Sequence, residues 1–483
     1  MTGAAEGWTL ALPGGARFAV PPSLDQISTY VLLEQDDWFE DEIRFVRRVL
    51  RPGMRAVDIG ANLGVYAVAM ALGVAPGGRV WAYEPAPGTA AWLEHNLALN
   101  GCAHAKAVRA AVSERPGTVG FAIGPHPELN AVAAEGGTPV EATTIDAEAA
   151  GWGPIDFLKL DVEGHEAEAV RGGAAFFRAA DPLVMVEVRQ EGRTDTAALD
   201  LLAAAGYGRF RLLPGLMMLE PMDTAAAPDK FQLNLFACKP ARARALCERG
   251  LLVEASAPAG GRAPARAWRD YAARAPYARG FAGRWRRSAG WLAAADADRY
   301  FEGLAAWACA QDDARPAQER AAWLRHSLDC VARALKARDS LARRLSHARI
   351  AADAGWRAAA VDSLVAIADR VDDPAEASRD EPFLAPSARH EALDAAGGPH
   401  AWLRCAVLES LERLHFFSSC FSGEGANAIF EALAAMPERA IGTDRRLQLR
   451  RLRRGLPLEP HAAARLSTPA PDHLNADFWK QHA

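Results

Sequence analysis

Between Val57 and Gly64 the chain reads Val-Asp-Ile-Gly-Ala-Asn-Leu-Gly: an acid near the end of a short apolar run, a tight glycine loop, then a helical stretch. A strand, loop and helix in that order let backbone approach a ligand and aim helix-end amides at it. The loop is not a Walker loop, because no Gly-Lys-Ser/Thr follows, and the GxGxxG spacing of dinucleotide folds is absent as well. The acid discriminates further: a carboxylate beside the loop repels a pyrophosphate and attracts a cation. Twenty-six residues after Asp58, Tyr83-Glu84-Pro85 closes a second apolar run. A carboxylate in that place can accept hydrogen bonds from both hydroxyls of a ribose. A third cluster, Lys159-Leu160-Asp161-Val162-Glu163-Gly164-His165-Glu166, ends the apolar run from Ile155 to Leu160.

A ligand with a ribose, a positive charge and no phosphate meets all three demands, and S-adenosylmethionine is such a molecule. Asp58 is the candidate for its ammonium and Glu84 for its ribose, with Gly60, Asn62 and Gly64 shaping the loop. Ser113, after the third strand, has a side chain suited to the adenine edge. Methyl transfer from a sulfonium is an in-line displacement that depends mostly on alignment. A hydroxyl acceptor is a poor nucleophile until its proton is leaving, so a base or a metal should stand nearby. The base is placed on Asp161 or His165, the imidazole having the ordinary pKa closest to neutrality. Glu163 and Glu166 read as favourable acids in a helix's first turn. Glu187, ending the run Leu183 to Val188, can join Asp161 in a carboxylate pair able to hold a divalent cation. Asp146 reads as structural.

The elements that must position these groups alternate. Leu10 to Val20 reads as a hairpin turning at Pro13-Gly14-Gly15, and Asp36 to Leu50 as a helix. Strands are expected at 55–59, 78–83, 155–160 and 182–188, with helices at 65–72, 88–99 and 194–205; 105–112 and 118–123 continue the rhythm. Such alternation gives a parallel sheet with helices on both faces. Tyr207 to Leu213 and Phe231 to Cys238 follow one another without a helix, so an antiparallel pair is expected at one edge. The fold class expected is α/β, a Rossmann-like and mostly parallel seven-stranded sheet with one antiparallel edge strand, followed by an all-α domain.

In these motifs the sequence resembles the FkbM family of methyltransferases. The resemblance rests on the 57–64 loop, Tyr83-Glu84-Pro85, Asn96 to Asn100, Ala111-Val112-Ser113, Thr143-Thr144-Ile145-Asp146 and the stretch Ile155 to Glu166, in that order. It covers about residues 40 to 190 at motif level. It implies a class I methyltransferase fold, S-adenosylmethionine as cofactor, and O-methylation of a hydroxyl on a sugar, glycan or secondary metabolite.

Composition shifts at Ala255 to Pro264, where Ala, Pro and Gly dominate. The division expected is a methyltransferase domain at 1–250, with the hairpin and first helix in 1–52, a linker at 251–266 and a helical domain at 267–483. Within the last, 346–371 reads as a helical hairpin turning at Gly355, similar to one tetratricopeptide-type unit. Eight arginines against Asp270 lie between Arg262 and Arg287, interleaved with Trp268, Tyr271, Tyr277, Phe281 and Trp285. The simpler reading is aromatics entering a core and arginines in solvent; the sharper one is a surface for an anionic acceptor. Arg445 to Arg454 reads as another helix resting on the domain. The net charge of −5 argues against a dedicated nucleic-acid binder. Seven scattered cysteines without a CxxC pair suit a reducing compartment, and neither a signal peptide nor an apolar run of membrane length is seen, so a cytoplasmic location is expected. Oligomerisation, if any, would use the helical half. The rival to an enzyme is a scaffold that holds the cofactor while its helical half binds protein or glycan.

Overall fold

The computed structural model of the protein describes residues 7–459 except 36, 125–126, 128–129, 134–135, 191–192, 224–226, 255–260, 288–294, 374–380, 437–438 and 440. Parts of the expected linker and all of 460–483 therefore lie outside the described residues.

Eight strands form the main sheet: β1 (Arg55–Ile59), β2 (Arg79–Tyr83), β3 (Ala105–Val108), β4 (Phe157–Leu160), β5 (Leu183–Glu187), β6 (Gly208–Leu213), β7 (Met218–Pro221) and β8 (Asn234–Cys238). Their spatial order is β7-β6-β8-β5-β4-β1-β2-β3. The block from β3 to β5 is parallel, and its central strands are mostly apolar on both faces, Asp58 and Lys159 excepted, because helices cover both. β8 runs antiparallel to β5 and β6, and β7 closes the edge as a hairpin with β6. The sheet thus has one strand more than the seven expected. The antiparallel pair is present, but β8 is inserted between β5 and β6, and the edge belongs to β7. Residues 111–143 also depart from the expected rhythm. They form a separate four-stranded sheet from Ala111–Val112, Gly117–Ala122, Ala131–Val132 and Thr138–Thr143.

The N-terminal hairpin pairs Trp8–Ala11 with Arg17–Val20. Asn96 ties it to the glycine loop: its Oδ1 accepts the Ala19 amide at 2.6 Å, and its Nδ2 donates to the carbonyls of Ala19 and Leu63 at 3.0 and 2.9 Å. Asp146 caps the helix Ala174–Ala179 by accepting the amides of Ala175 and Phe176, the structural role expected of it. One helix was expected at 36–50; the structure has Asp41–Val49 and a further helix, Ile27–Gln35. Seven of the nine residues of Ile27–Gln35 are buried, so it lacks the polar face that would have given it a helical period.

The last described helix, Ile441–Arg453, packs against Ile27–Gln35, and its Leu449 enters the core of the α/β half. In the other direction Leu213, Leu216 and Met218 of the β6–β7 hairpin enter the core of the helical half. Gly215 donates to the Asp353 carbonyl at 2.9 Å, and the Arg211 guanidinium lies 4.3 Å from the Trp356 ring. Helices Leu341–Asp353 and Arg357–Ala368 form the expected hairpin, with Gly355 at φ 74°. In the 262–287 stretch Trp268, Tyr271, Tyr277 and Phe281 are buried while Arg262 and Arg279 are exposed, which matches the simpler reading. The second basic run differs from expectation: Arg445, Arg446 and Arg450 are all buried. No helix among the described residues is long and apolar enough to cross a membrane.

Candidate active site

A cavity of about 320 Å³ opens across the carboxyl ends of the parallel strands, where open α/β sheets place their ligands. Strand order fixes its sequence of walls. Ala110, Ala111 and Val112 follow β3, Glu84 follows β2, Gly60 to Leu63 follow β1, Asp161 to Glu163 follow β4, and Glu187 ends β5.

The glycine loop is held by two amides, of Gly60 and Ala61, that both donate to the Tyr83 carbonyl at 3.0 and 2.9 Å. Gly60 has φ 82°, and a Cβ there would lie 1.6 Å from the Asp161 carbonyl oxygen, so any side chain would force β1 and β4 apart. Asn62, at φ 50°, presents its amide to Glu84 Oε2 at 3.1 Å, and Ala86 donates to Oε1 at 2.9 Å. Each carboxylate oxygen keeps a further acceptor site. Burial pushes the Glu84 carboxyl up to about 7 against the pull of those amides. Gly64, at φ 100°, starts the following helix and packs on Leu93; it is not part of the cavity wall.

Asp58 departs from the role expected of it. It is fully buried, does not line the cavity, and faces Lys159, whose Nζ lies 3.7 Å from Oδ1. The β1–β4 register explains this, since Asp58 and Lys159 are direct partners. Burial raises the Asp58 carboxyl to about 6 although Lys159 opposes it. Lys159 also donates to Asp161 Oδ2 at 2.7 Å and lies 5.0 Å from the Tyr66 ring. Burial works against its charge, and Asp161 and Asp58 together more than reverse that, so the ammonium persists. Asp161, Glu163 and Glu187 are among the acids that do face the cavity.

The nearest oxygens of Asp161, Glu163 and Glu187 lie within 4.8 Å of one another. Glu163 occupies the left-handed region at φ 51°, a strained conformation for a glutamate. Glu187 Oε2 is buried without a hydrogen-bond partner. Burial first, then Asp161 and Glu163, push the Glu187 carboxyl well above its ordinary range. Glu166 braces the loop from below, accepting the amides of Val162 and Gly164 at 2.8 and 3.3 Å.

His165 and Ser113 do not line the cavity; Ser113 Oγ and His165 Nε2 hydrogen-bond to each other at 2.8 Å. His165 stands at the N-terminal end of the helix Glu166–Arg171 without a capping bond from its ring, and burial lowers the imidazole pKa. Sequence reasoning missed Glu40, whose carboxylate accepts from the Tyr66 hydroxyl and is pushed up to about 7 by burial and by Asp161. It also missed the aromatic rim of Trp38, Phe39 and Phe421, the last contributed by the helical half. Phe39 and Phe421 meet edge to face with centroids 5.5 Å apart. A lysine inside a strand of buried-type residues was the one available signal for the Asp58 pairing, because such a charge needs a carboxylate beside it.

At one end of the parallel sheet the glycine loop and the acid closing β2 stand on the same cavity wall. Residues 58–208 match the family model described as Methyltransferase FkbM domain. Among solved structures, methyltransferase FkbM from Methylobacillus flagellatus is similar at 20% identity over 40% of this chain and 50% of that one, with a TM-score of 0.27. The chain thus spans half the length of that relative. A SAM-dependent O-methyltransferase from Thermotoga maritima is similar at 17% identity over 48% of this chain and 77% of that one, with a TM-score of 0.26. No curated protein matches the chain.

Proposed function

We propose that the protein methylates a hydroxyl oxygen of a small acceptor, a sugar, glycan or secondary metabolite, in the cavity over β1 to β5. The observation that carries this is the order of the walls: apolar Ala110 to Val112, then Glu84, then the glycine loop, then a carboxylate cluster. These residues fit S-adenosylmethionine, which when bound supplies an electrophilic methyl on a sulfonium. Glu84 would accept the ribose hydroxyls, Ala110 to Val112 would flank the adenine, and the carboxylate cluster would answer the positive charge. Asp161, held by Lys159, is the proposed acceptor of the hydroxyl proton and shares it with Glu187. His165 is displaced from that role by its bond to Ser113.

A second reading of the same cluster is favoured by the buried, unpartnered Glu187 Oε2. Asp161, Glu163 and Glu187 would hold a divalent cation, which would lower the pKa of a bound hydroxyl. Titrating S-adenosylhomocysteine into wild type and Glu84→Ala tests the first reading. Wild type should bind, and the variant should bind about ten- to a hundredfold more weakly, the worth of hydrogen bonds to a charged acceptor. No binding by wild type would remove the enzyme reading and leave the scaffold. Turnover that survives exhaustive chelation would remove the cation.

A further inference from the structure

A second cavity, of about 560 Å³, lies on the seam between the two halves and shares Phe39 and Glu40 with the cavity described above. Its helical wall carries donors with nothing to donate to. Ser410 and Arg413 stand one turn apart on the helix Pro399–Phe416, and both line the cavity. Ser410 is 3% exposed, and its Oγ has no hydrogen-bond partner. Arg413 Nε is likewise buried and unpartnered, and its guanidinium makes no ion pair among the described residues. Gln311, on another part of the lining, has an unpartnered buried Nε2. Buried polar groups are otherwise almost always satisfied, and three lost partners on one lining would be a heavy penalty for an empty interface.

The lining carries both signs, and its acids, Glu40 bonded to the Tyr66 hydroxyl among them, are better partnered than its cations. The carboxylates that act on Arg413 are committed elsewhere, Glu412 to Arg446 and Glu409 to Arg389, His390 and Thr443. Burial, with Arg446 and Arg389 nearby, lowers the Arg413 pKa to about 10, still charged at neutral pH. Arg357, on the same lining, donates to the Leu414 and Arg413 carbonyls and lies 3.4 Å from the Phe417 ring centroid, again without an ion pair among the described residues. The acids on the far wall are engaged or uncharged. Asp353 pairs with Arg349, Asp41 with Arg44, Asp229 accepts the Ala358 and Phe231 amides, and burial raises the Glu42 carboxyl to about 8.

We propose that Arg413, Arg357, Ser410 and Gln311 form a receptor for an oxyanion, a phosphate or a carboxylate, carried by the methyl acceptor. The guanidinium, hydroxyl and amide donors match such a group, and the shared Phe39 and Glu40 connect it to the catalytic cavity. The identity of the carrier as the acceptor rests on the methyl-transfer reading; the oxyanion site does not.

The test titrates inorganic phosphate, and separately S-adenosylhomocysteine, into wild type, Arg413→Met and Ser410→Ala. Wild type should bind phosphate, Arg413→Met should weaken it about tenfold or more, and homocysteine-nucleoside affinity should be unchanged in both variants. In phosphate-free buffer Arg413→Met should melt no lower than wild type, because it removes an unpaired buried charge, and it should lose the phosphate-dependent rise in melting temperature. Wild type that binds the nucleoside but not phosphate, or phosphate binding indifferent to both substitutions, would overturn the site. For the carrier, methyl label from S-adenosylmethionine in cell extract should appear in the anion-exchange-retained fraction. Label confined to the neutral fraction would overturn that half, and nucleoside binding that fails in wild type would instead count against methyl transfer itself.

Discussion

Buried acids gather in two places in this molecule, at the carboxyl end of the sheet and at the junction of the first and last helices. At the junction, Glu34 of Ile27–Gln35 and Glu412 both reach the Arg446 guanidinium, which lies 2.9 Å from Glu34 Oε2. Glu34 further accepts from Ser418 and from the Ser419 amide, so its carboxylate is hydrogen-bonded as well as paired. At the sheet end, Asp58 and Asp161 share Lys159, while Glu187 and Glu40 are each held against Asp161. Burial pushes Asp58, Glu40, Glu166 and Glu187 toward protonation there. At the junction Arg445, Arg446 and Arg413 face the two acids instead, and Arg446 and Arg413 oppose the rise that burial gives Glu412. A balanced cluster holds the halves together and needs no visitor. An unbalanced one is stabilised when a positive ligand or a proton arrives, which supports the proposed site at the sheet end.

The sharpest way to break this contrast is to remove charge from each cluster in turn. Asp161→Asn keeps the side chain's shape and should retain affinity for S-adenosylhomocysteine while turnover falls by about 10²- to 10⁴-fold, the range for losing a general base. Normal turnover in that variant would show that the acid excess is not catalytic. Arg446→Met at the junction should behave in the opposite way. It leaves Glu34 and Glu412 buried without their cation and should cost about 3 to 5 kcal/mol of stability. Equilibrium denaturation measures it, and a loss below about 1 kcal/mol would mean the cluster is not the clasp described here.

The strand ends around the first cavity were legible in the sequence because each is local: the loop 57–64, Glu84 and the 159–166 stretch are continuous segments whose positions follow from strand periodicity. What could not be read is what comes from afar. Glu40 and Phe421 reach the same cavity from an N-terminal loop and from the helical half, nearly four hundred residues apart in the chain. Asp58 misled for a related reason: a strand-end acid was placed by its neighbours along the chain, while its partner Lys159 sits across the sheet. His165 was placed by its ordinary pKa, and packing gave it to Ser113. Likewise the arginines of Ile441–Arg453 read as a solvated face because nothing local announced Glu34 and Glu412.

Glu42 offers a finer probe, because it stands on the seam yet is unbalanced like the sheet-end acids. It lies in the first turn of Asp41–Val49, is 8% exposed, and lines the cavity between the halves. Burial first, then Glu40 and Asp41, raise its carboxyl from 4.5 to about 8, with Arg357 pulling the other way. The folded chain therefore holds this proton over a range in which the unfolded chain has released it. Stability from this group is complete below the unfolded value and declines as pH rises from about 4.5 through about 8. Glu42→Gln keeps the shape of the protonated acid and removes the titration. Melting temperature across that window should fall in wild type and fall less steeply in the variant, with Glu40, raised to about 7, accounting for part of the slope that remains. Parallel curves would mean that Glu42 is charged in the folded protein, and the seam would then need a cation beside it, for which Arg357 is the nearest candidate by its pull on the carboxyl.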